Sequence, residues 1–494
     1  MHGCRLRSDH CEFKWNINMR TYLLAFTLFV SCFSIASFAE ETVEATFLDT
    51  KIQDVLSDIK EDINIGIYVQ DAKTGKVLFK KNVNRYFMPA SNQKLFTAFA
   101  ALHSLGPDFT YRTQLFLDYT KIRKGVLRDN LYLQFSGDPV FTVEQLESLI
   151  NSLAEVGILR IKGKIIIDDT AFDQMGMSPG TSWDDQDFCW GSPISALIIN
   201  HNCVKATLIP APEPGQLAKL ELPNYPQSMH FINQVMTSPA STKNCRVKVK
   251  RSDETTYVMS GCLSASASPY PVEMAISNPR DNVKLLLKHF LEKNHIGVTG
   301  EVEFKNFETP AKPFARQDSP PLKNLVATML KESDNTIADA LFKTMGANYA
   351  HEAGSFANGN SAVRDILAQS VQLNFPKTTL IDGAGSSRYN FLTPAQIVTL
   401  LQKIFLSPGA SDFISSLAIS GVDGTLKDRM NDSVALGKVH AKTGSETAVT
   451  SLSGYLETNK KQTLIFSIMI NGFVDPAAKY KALEDKLCKV MIES

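Results

Sequence analysis

A serine and a lysine at positions i and i+3, Ser91 and Lys94, are the first residues in this sequence that could do chemistry. They lie at the start of a helix predicted for residues 92–106, so they share one helix face. A serine hydroxyl is a weak nucleophile until a base removes its proton, and a buried lysine near a second cation can be that base. The free N–H groups of a helix N-terminus can also stabilise an oxyanion. The pair alone is weak evidence, because chance supplies several such spacings in a chain of 494 residues.

Two further motifs follow the pair along the chain. Residues 333–335 read Ser-Asp-Asn between two predicted helices, where a helix cap would be the default interpretation. Residues 442–444 read Lys-Thr-Gly ahead of a predicted strand, where glycine lets a ligand approach the backbone. A second Lys-Thr-Gly at residues 73–75 falls in a predicted hairpin turn and precedes the other motifs. Taken in order, Ser-x-x-Lys, Ser-x-Asn and Lys-Thr-Gly mark penicillin-binding proteins and class A β-lactamases.

The hydrophobic pattern predicts the elements that position these motifs. A β-hairpin is expected over residues 63–79, helices from about residue 320, then two strands and a final helix near the C-terminus. Short β-branched runs fill the middle of the chain. This order predicts one α/β unit assembled from both chain ends, with a β-rich insertion. The expected divisions are a leader (1–39), the first part of the catalytic domain (40–115), inserted β-rich domains (116–305) and the second part of the catalytic domain (306–494).

The N-terminal segment predicts export. Arg20 follows a second methionine, Met19, and precedes an apolar run that ends in Ser-Phe-Ala at Ala39. These are the features of a secretory signal peptide with a cleavage site after Ala39. An uncleaved membrane anchor, lipidation at Cys32 and translation from Met19 stay open. Export to the periplasm is the expectation.

Composition and cysteines narrow the class of protein. The chain carries 51 Lys+Arg and 51 Asp+Glu, so nothing favours a nucleic-acid partner. Export permits disulfides, and we expect Cys189–Cys203 and Cys245–Cys262, although spacing alone allows three connectivities. Cys488 would then be a buried thiol in the last helix. The cysteines do not have the spacing of a zinc site, and no metal or cofactor is expected.

Sequence blocks throughout nearly the whole mature chain resemble the penicillin-binding protein 4 (DacB) family of D-alanyl-D-alanine carboxypeptidases and endopeptidases, peptidase family S13. The blocks are MPASNQKLFTAFAAL, MLKESDNTIADALF, IDGAGSSRYN, GVDGTLKDRM, VHAKTGS, FSGDP, SWDDQDFCW and INHNC. The resemblance implies an α/β (α+β) fold of the penicillin-recognising serine transpeptidase/β-lactamase type, an antiparallel sheet flanked by helices, with inserted domains. The sequence departs from the family at Ala384 and Ser386, usually Ser and Leu, and at Glu446, usually Leu.

The resemblance also implies catalytic roles. Ser91 would attack the carbonyl of the D-Ala-D-Ala bond, with Lys94 as its general base. Ser333 would relay a proton to the leaving D-alanine, and Asn335 would hold the substrate backbone and Lys94. Lys442 would add positive charge near the substrate carboxylate.

Substrate-binding roles are implied in the same way. Residues 443–445 (Thr443, Gly444 and Ser445) would contact the substrate carboxylate through the two hydroxyls, and the N–H groups of Ser91 and Ser445 would form an oxyanion hole. Asp185 and Arg388 would bind the amino-carboxyl end of diaminopimelate, beside Trp190 as an aromatic wall. Their structural alternatives are a loop charge, a surface ion pair and a buried ring.

The function implied is a serine D-Ala-D-Ala carboxypeptidase and DD-endopeptidase that acts on peptidoglycan stem peptides and is acylated by β-lactam antibiotics. A secreted β-lactamase is one alternative, but it would need a deacylation base, and no convincing Glu-x-x-x-Asn loop follows the second motif. A non-catalytic penicillin-binding module is another, although such a module need not retain Lys94 or Ser333. Peripheral membrane contact and homodimerisation stay open.

Overall fold

The computed structural model describes residues 47–60, 62–308, 312–373, 378–432 and 434–494. The expected signal peptide, with its cleavage site after Ala39, lies outside the described residues. No helix within the described ranges combines the length and the apolar character needed to cross a membrane.

The helices and strands are numbered here in chain order. The helices of the described residues are α1 Phe47–Ser57, α2 Lys94–Leu105, α3 Val143–Glu155, α4 Pro279–Lys293, α5 Leu322–Lys331, α6 Asn335–Ala350, α7 Phe356–Val371, α8 Pro394–Phe405, α9 Ala410–Ser415 and α10 Ala477–Glu493. The strands are β1 Asn64–Asp71, β2 Val77–Lys81, β3 Arg112–Phe116, β4 Ile122–Arg123, β5 Val126–Leu127, β6 Leu131–Gln134, β7 Arg160–Ile161, β8 Ile165–Asp168, β9 Cys203–Ile209, β10 Lys219–Glu221, β11 His230–Asn233, β12 Met236–Ser238, β13 Val247–Arg251, β14 Thr256–Ser264, β15 Tyr270–Ala275, β16 Gly297–Val298, β17 Val302–Phe304, β18 Ala315–Asp318, β19 Ala418–Ile419, β20 Val439–Glu446, β21 Val449–Glu457 and β22 Thr463–Asn471.

The central sheet is built from both ends of the chain, as expected. Its strand order is β19-β20-β21-β22-β1-β2, and every neighbouring pair is antiparallel. The predicted hairpin is confirmed as β1 and β2, and Gly75 in its turn has φ +72°. Strand β22 alternates between two cores: Ile465 and Met469 pack with α2 and α5–α8, whereas Phe466 and Ile468 pack with α1 and α10. Both faces are therefore covered, which explains the uninterrupted apolar run of β22.

The middle of the chain forms smaller sheets. The order of the five-stranded sheet is β17-β8-β6-β3-β18, and α3 and α4 pack into its core. Because β3 and β18 belong to it, this sheet also uses residues 112–116 and 315–318. The domain boundaries of 116 and 305 stay a prediction.

The cysteine expectations are confirmed. Cys189 is bonded to Cys203 and Cys245 to Cys262, and Cys488 is a buried free thiol in α10.

Candidate active site

The nucleophile candidate precedes its helix. Ser91 lies in a 3₁₀ turn over Ala90–Gln93, and α2 begins at Lys94, so the helix starts slightly later than the sequence predicted. The two side chains meet as expected, with 2.9 Å between Lys94 Nζ and Ser91 Oγ. Lys94 is fully buried. This burial lowers the pKa of Lys94 to about 8, although the nearby carboxylates of Asp339 and Asp382 oppose the shift.

The other partners of Lys94 fix the direction of its lone pair. Lys94 Nζ lies 2.7 Å from Asn335 Oδ1 and 2.7 Å from the backbone oxygen of Ala384. Both atoms can only accept hydrogen bonds. A neutral amine that donates its two hydrogens to them must turn its lone pair toward the Ser91 hydroxyl. The neighbours of Lys94 thus orient it as a base for Ser91.

Two buried carboxylates, which the sequence analysis did not single out, support this arrangement. Asp339 accepts hydrogen bonds from the N–H groups of Gly383 and Ala384, both at 2.8 Å, and so aims the Ala384 carbonyl at Lys94. Burial, with Asp382 adding to it, raises the pKa of Asp339 to about 8. A signal was present, because Asp339 interrupts an otherwise apolar stretch of α6.

Asp382 organises the loop that follows it. Its carboxylate accepts hydrogen bonds from the N–H groups of Gly385 and Ser387, both at 2.7 Å, and from the Asn390 amide at 2.8 Å. The Cβ of any other residue at Gly385 would lie 1.9 Å from the Ala90 oxygen. The loop therefore packs directly beneath the nucleophile turn.

The second motif lies between two helices, as predicted. Helix α5 ends at Lys331 and α6 begins at Asn335. Asp334 is the N-cap of α6 and accepts a hydrogen bond from Ile337 N at 2.8 Å, so the capping interpretation is also correct. Ser333 has φ +63°, a left-handed conformation that costs energy for a non-glycine residue. This turn directs Ser333 into the same cleft as Ser91.

The third motif corrects one expectation, because it lies inside a strand and not ahead of one. Lys442, Thr443, Gly444 and Ser445 all belong to β20. Lys442 is fully buried and its Nζ donates to the Thr443 oxygen at 2.9 Å. Burial lowers the pKa of Lys442 well below its usual value, and the neighbouring Lys94 lowers it further. A bound carboxylate would restore its charged form.

The strand approaches the nucleophile turn closely at Gly444. A Cβ there would lie 2.2 Å from Ser451 Oγ and 2.9 Å from the Pro89 oxygen. Asn92 ties the two elements together, since its amide donates to the Lys442 oxygen at 3.3 Å and to Ser451 Oγ at 2.6 Å. The first Lys-Thr-Gly copy lies instead in the turn between β1 and β2.

The open face of these motifs is a cleft of about 360 Å³. It is lined by Ser91, Ser333, Thr425, Arg429, Thr443, Ser445 and Lys481. Arg429 donates to Glu484 at 2.9 Å and to Asp485 at 2.7 Å, so α10 supports one wall of the cleft. Within the described ranges, no group of three or more His, Cys, Asp or Glu side chains could hold a metal ion.

Asp185 and Trp190 meet beside the second motif. Trp190 Nε1 donates to Asp185 Oδ1 at 3.2 Å, and the indole stacks on Phe188 with 4.4 Å between ring centroids. Trp190 is 51% exposed, so it is not a buried core ring. Its backbone oxygen accepts a hydrogen bond from Asn335 Nδ2 at 2.8 Å, which joins this segment to the contacts of Lys94.

Arg388 contacts the end of β20 through an unpredicted partner, Glu446. Arg388 Nη2 lies 3.3 Å from a Glu446 carboxylate oxygen, and Arg388 Nη1 donates to the Thr447 oxygen at 3.0 Å. Burial raises the pKa of Glu446 to about 7, with Arg388 opposing the shift and the nearby charge of Asp185 adding to it. The structure therefore brings Asp185, Trp190 and Arg388 together, but with Glu446 among them.

Three motifs around one antiparallel sheet define the class of penicillin-recognising serine enzymes. The model of the D-Ala-D-Ala carboxypeptidase 3 (S13) family matches residues 48–490, and the chain belongs to this family of serine D-Ala-D-Ala carboxypeptidases.

Two similar proteins and one solved structure agree with membership of this family. The D-alanyl-D-alanine carboxypeptidase DacB of Haemophilus influenzae is 30% identical over 430 residues, which cover 87% of this chain and 89% of that protein. A D-alanyl-D-alanine carboxypeptidase of an Actinomadura species is 30% identical over 448 residues, 85% of this chain and 82% of the relative. The crystal structure of penicillin-binding protein 4 (dacB) from Haemophilus influenzae has a TM-score of 0.80 at 29% identity, covering 90% of this chain and 99% of that one. The expected fold is therefore confirmed.

Proposed function

We propose that this protein cleaves the D-Ala-D-Ala bond of peptidoglycan stem peptides, and the D-Ala cross-link between stems, through an acyl-enzyme on Ser91. One observation carries the proposal. The buried Lys94 Nζ donates to two obligate acceptors, Asn335 Oδ1 and the Ala384 oxygen, and lies 2.9 Å from Ser91 Oγ, so its neutral form would direct its lone pair at that hydroxyl.

Acylation would use the first two motifs. Lys94 takes the proton of Ser91 as Oγ attacks the carbonyl carbon, and the N–H groups of Ser91 and Ser445 stabilise the oxyanion. The C–N bond breaks as Ser333 gives its proton to the leaving amine. Ser333 then regains a proton from Lys94. Water then hydrolyses the ester and returns the proton to Ser91.

The carboxylate of the leaving D-alanine would lie against β20. The Lys442 side chain supplies a positive charge once the anion is present, and the hydroxyls of Thr443 and Ser445 line the cleft as hydrogen-bond donors. Gly444 keeps this strand close to the nucleophile turn. A β-lactam carries a similarly placed carboxylate, and the Haemophilus influenzae relative has been crystallised with a β-lactam at a TM-score of 0.75 to this chain.

Asp185, Trp190 and Arg388 would form a side-chain subsite for the residue that precedes D-Ala-D-Ala. Its placement beside Asn335 supports this assignment. The apolar segment that ends at Ala39 supports export to the periplasm, where such peptides are found.

The test compares Ser91→Ala with Ser104→Ala, a matched change near the far end of α2. Wild type and Ser104→Ala should release D-alanine from a stem pentapeptide and bind fluorescent penicillin covalently. Ser91→Ala should lose both by at least about 10³-fold. Rapid penicillin turnover without D-alanine release would instead indicate a β-lactamase. Failure to cut a cross-linked muropeptide dimer while D-alanine is released would remove the endopeptidase part.

A further inference from the structure

The side-chain subsite contains an acid beside its guanidinium. Glu446 lies one residue beyond Ser445 in β20, and its carboxylate pairs with Arg388 at 3.3 Å. We infer that Glu446 makes this enzyme select stem peptides whose residue before D-Ala-D-Ala ends in an ammonium group without a free carboxylate beside it. The inference rests on the proposed function and concerns the substrate class of the same site.

The guanidinium of Arg388 is already engaged on three sides. Nη2 faces Glu446, Nη1 donates to the Thr447 oxygen at 3.0 Å, and Nε donates to Ser182 Oγ at 3.3 Å. A carboxylate from a substrate would have to displace Glu446 to reach Nη2. The displaced acid would then lie unpaired in a site where its side chain is only 22% exposed. Displacement would therefore oppose the binding of a free carboxylate.

The charges of the subsite favour a cation. Above pH 7, where Glu446 is ionised despite its raised pKa, Asp185 and Glu446 supply two carboxylates, and Arg388 supplies one guanidinium. Asp185 uses one oxygen to accept from Trp190, and its other oxygen has no hydrogen-bond partner among the residues that the structure describes. An ammonium group could bind that oxygen and lie against the half-exposed Trp190 ring.

Two kinds of substrate side chain avoid competition with Glu446 for Arg388, because neither carries a free carboxylate. A lysine side chain presents an ammonium group alone. A diamino acid whose carboxyl group is amidated presents an ammonium group and a carboxamide, and the carboxamide N–H could donate to Glu446 without disturbing Arg388. A free diaminopimelate end places its carboxylate against Glu446. Both favoured ends share a single positive charge.

The experiment measures kcat/KM for three pentapeptides that differ only in the residue before D-Ala-D-Ala: free diaminopimelate, its side-chain amide, and lysine. Wild type should prefer the amide and lysine peptides by about tenfold over the free acid. Glu446→Gln should reduce this ratio to about one or reverse it. The ratio within each variant cancels any general effect of the substitution on catalysis. The matched control is Glu303→Gln, which removes a glutamate from an exposed ion pair with Lys164 in another sheet and should keep the wild-type ratio.

A double variant tests the role of Arg388 directly. In the Glu446→Gln background, Arg388→Ala should lower the free-acid rate by about tenfold or more, because the guanidinium is then available to the substrate. In the wild-type background, the same change should lower it less than threefold. Equal losses in both backgrounds, or a wild-type preference for the free acid that Glu446→Gln leaves unchanged, would overturn the inference. Penicillin labelling of Ser91 in wild type distinguishes this failure from failure of the proposed function. Equal kcat/KM for the amide and lysine peptides would show that the subsite recognises only the single positive charge. A higher kcat/KM for the amide peptide would show that the carboxamide also contacts Glu446.

Discussion

Lys94 and Lys442 are both fully buried near the cleft, and burial lowers the pKa of each. The two lysines differ in their hydrogen-bond partners and therefore in the protonation state that those partners favour. Lys94 faces a hydroxyl and two carbonyl-type acceptors, which suits a neutral base. Lys442 faces the Thr443 oxygen beside an open cleft, which suits a cation that appears when an anion binds.

Lys442 and Lys73 test this distinction, because both precede Thr-Gly. Lys442→Ala should slow penicillin acylation by about 30- to 1,000-fold, through loss of about 2–4 kcal/mol of transition-state stabilisation. Lys73→Ala should acylate at the wild-type rate, since Lys73 is exposed in a turn where Asp71 Oδ1 accepts from Thr74 N at 2.6 Å. The measurement is the second-order acylation constant of each variant. Equal losses in both would contradict the assignment.

The pH dependence of acylation should report Lys94. Because burial lowers the pKa of Lys94 to about 8, the protonated form dominates below that pH and cannot accept the Ser91 proton. The acylation constant should therefore rise by up to about tenfold per pH unit between pH 6 and 8. A stopped-flow pH profile with penicillin measures this dependence. A flat profile over that range would contradict the role of Lys94.

At the scale of elements, catalysis depends on how closely β20 approaches the 3₁₀ turn that carries Ser91. Two contacts set this distance: the Asn92 amide bonds to both β20 and Ser451, and Gly444 leaves no side chain in the gap. The Ser451 hydroxyl also donates to the Pro89 oxygen at 2.7 Å.

Gly444→Ala should separate these elements. The new methyl group would overlap Ser451 Oγ, so we expect a loss of about 1–3 kcal/mol of stability and at least tenfold slower acylation. Gly409→Ala is the matched control, because a Cβ there has no atom within 4 Å and the residue has φ −91°. Acylation constants and thermal unfolding check both. Wild-type acylation by Gly444→Ala would show that the close approach is not required.

Local patterns predicted the elements well, and the family resemblance predicted the contact of Asn335 with Lys94, whereas other non-local contacts were not predicted. The Ser91–Lys94 spacing, the hairpin and both disulfides depend on residues close in sequence. The Glu446–Arg388 pair and the Asp339 contacts depend on loops that meet only in the folded molecule. The hydrophobic pattern placed Lys-Thr-Gly before a strand because Lys442 is polar. Lys442 is nevertheless fully buried inside β20, where its Nζ donates to the Thr443 oxygen.

At the scale of the whole molecule, the segment around Trp190 is one of the contacts between the middle of the chain and the active site. Cys189 is bonded to Cys203 at the start of β9. The residue after Cys189 is Trp190, whose backbone oxygen accepts a hydrogen bond from Asn335. Asn335 in turn contacts Lys94. The second disulfide joins Cys245, just ahead of β13, to Cys262 in β14.

Removal of each disulfide should therefore have different consequences. Cys189→Ala/Cys203→Ala and Cys245→Ala/Cys262→Ala open loops with sequence separations of 14 and 17, so each should lose roughly 3 kcal/mol in the chain-entropy model. Only the first should also slow acylation, by about three- to tenfold, because the Trp190 carbonyl loses its anchor. Acylation constants and denaturant midpoints measured together decide this. Equal acylation in the two variants would remove the proposed connection.

The pairing of β1 with β22 joins the first strand of the central sheet to its last. Met88 N, just ahead of the serine turn, donates to Asn471 Oδ1 across 383 residues. A truncated chain that lacks β20–β22 leaves β1 paired with β2 alone and has no Lys442 beside Ser91. Such distant closure is slow, because loop entropy is lost before the contacts form. A chain without its final strands should therefore be inactive, because neither Lys442 nor the strand that carries Asn471 is in place.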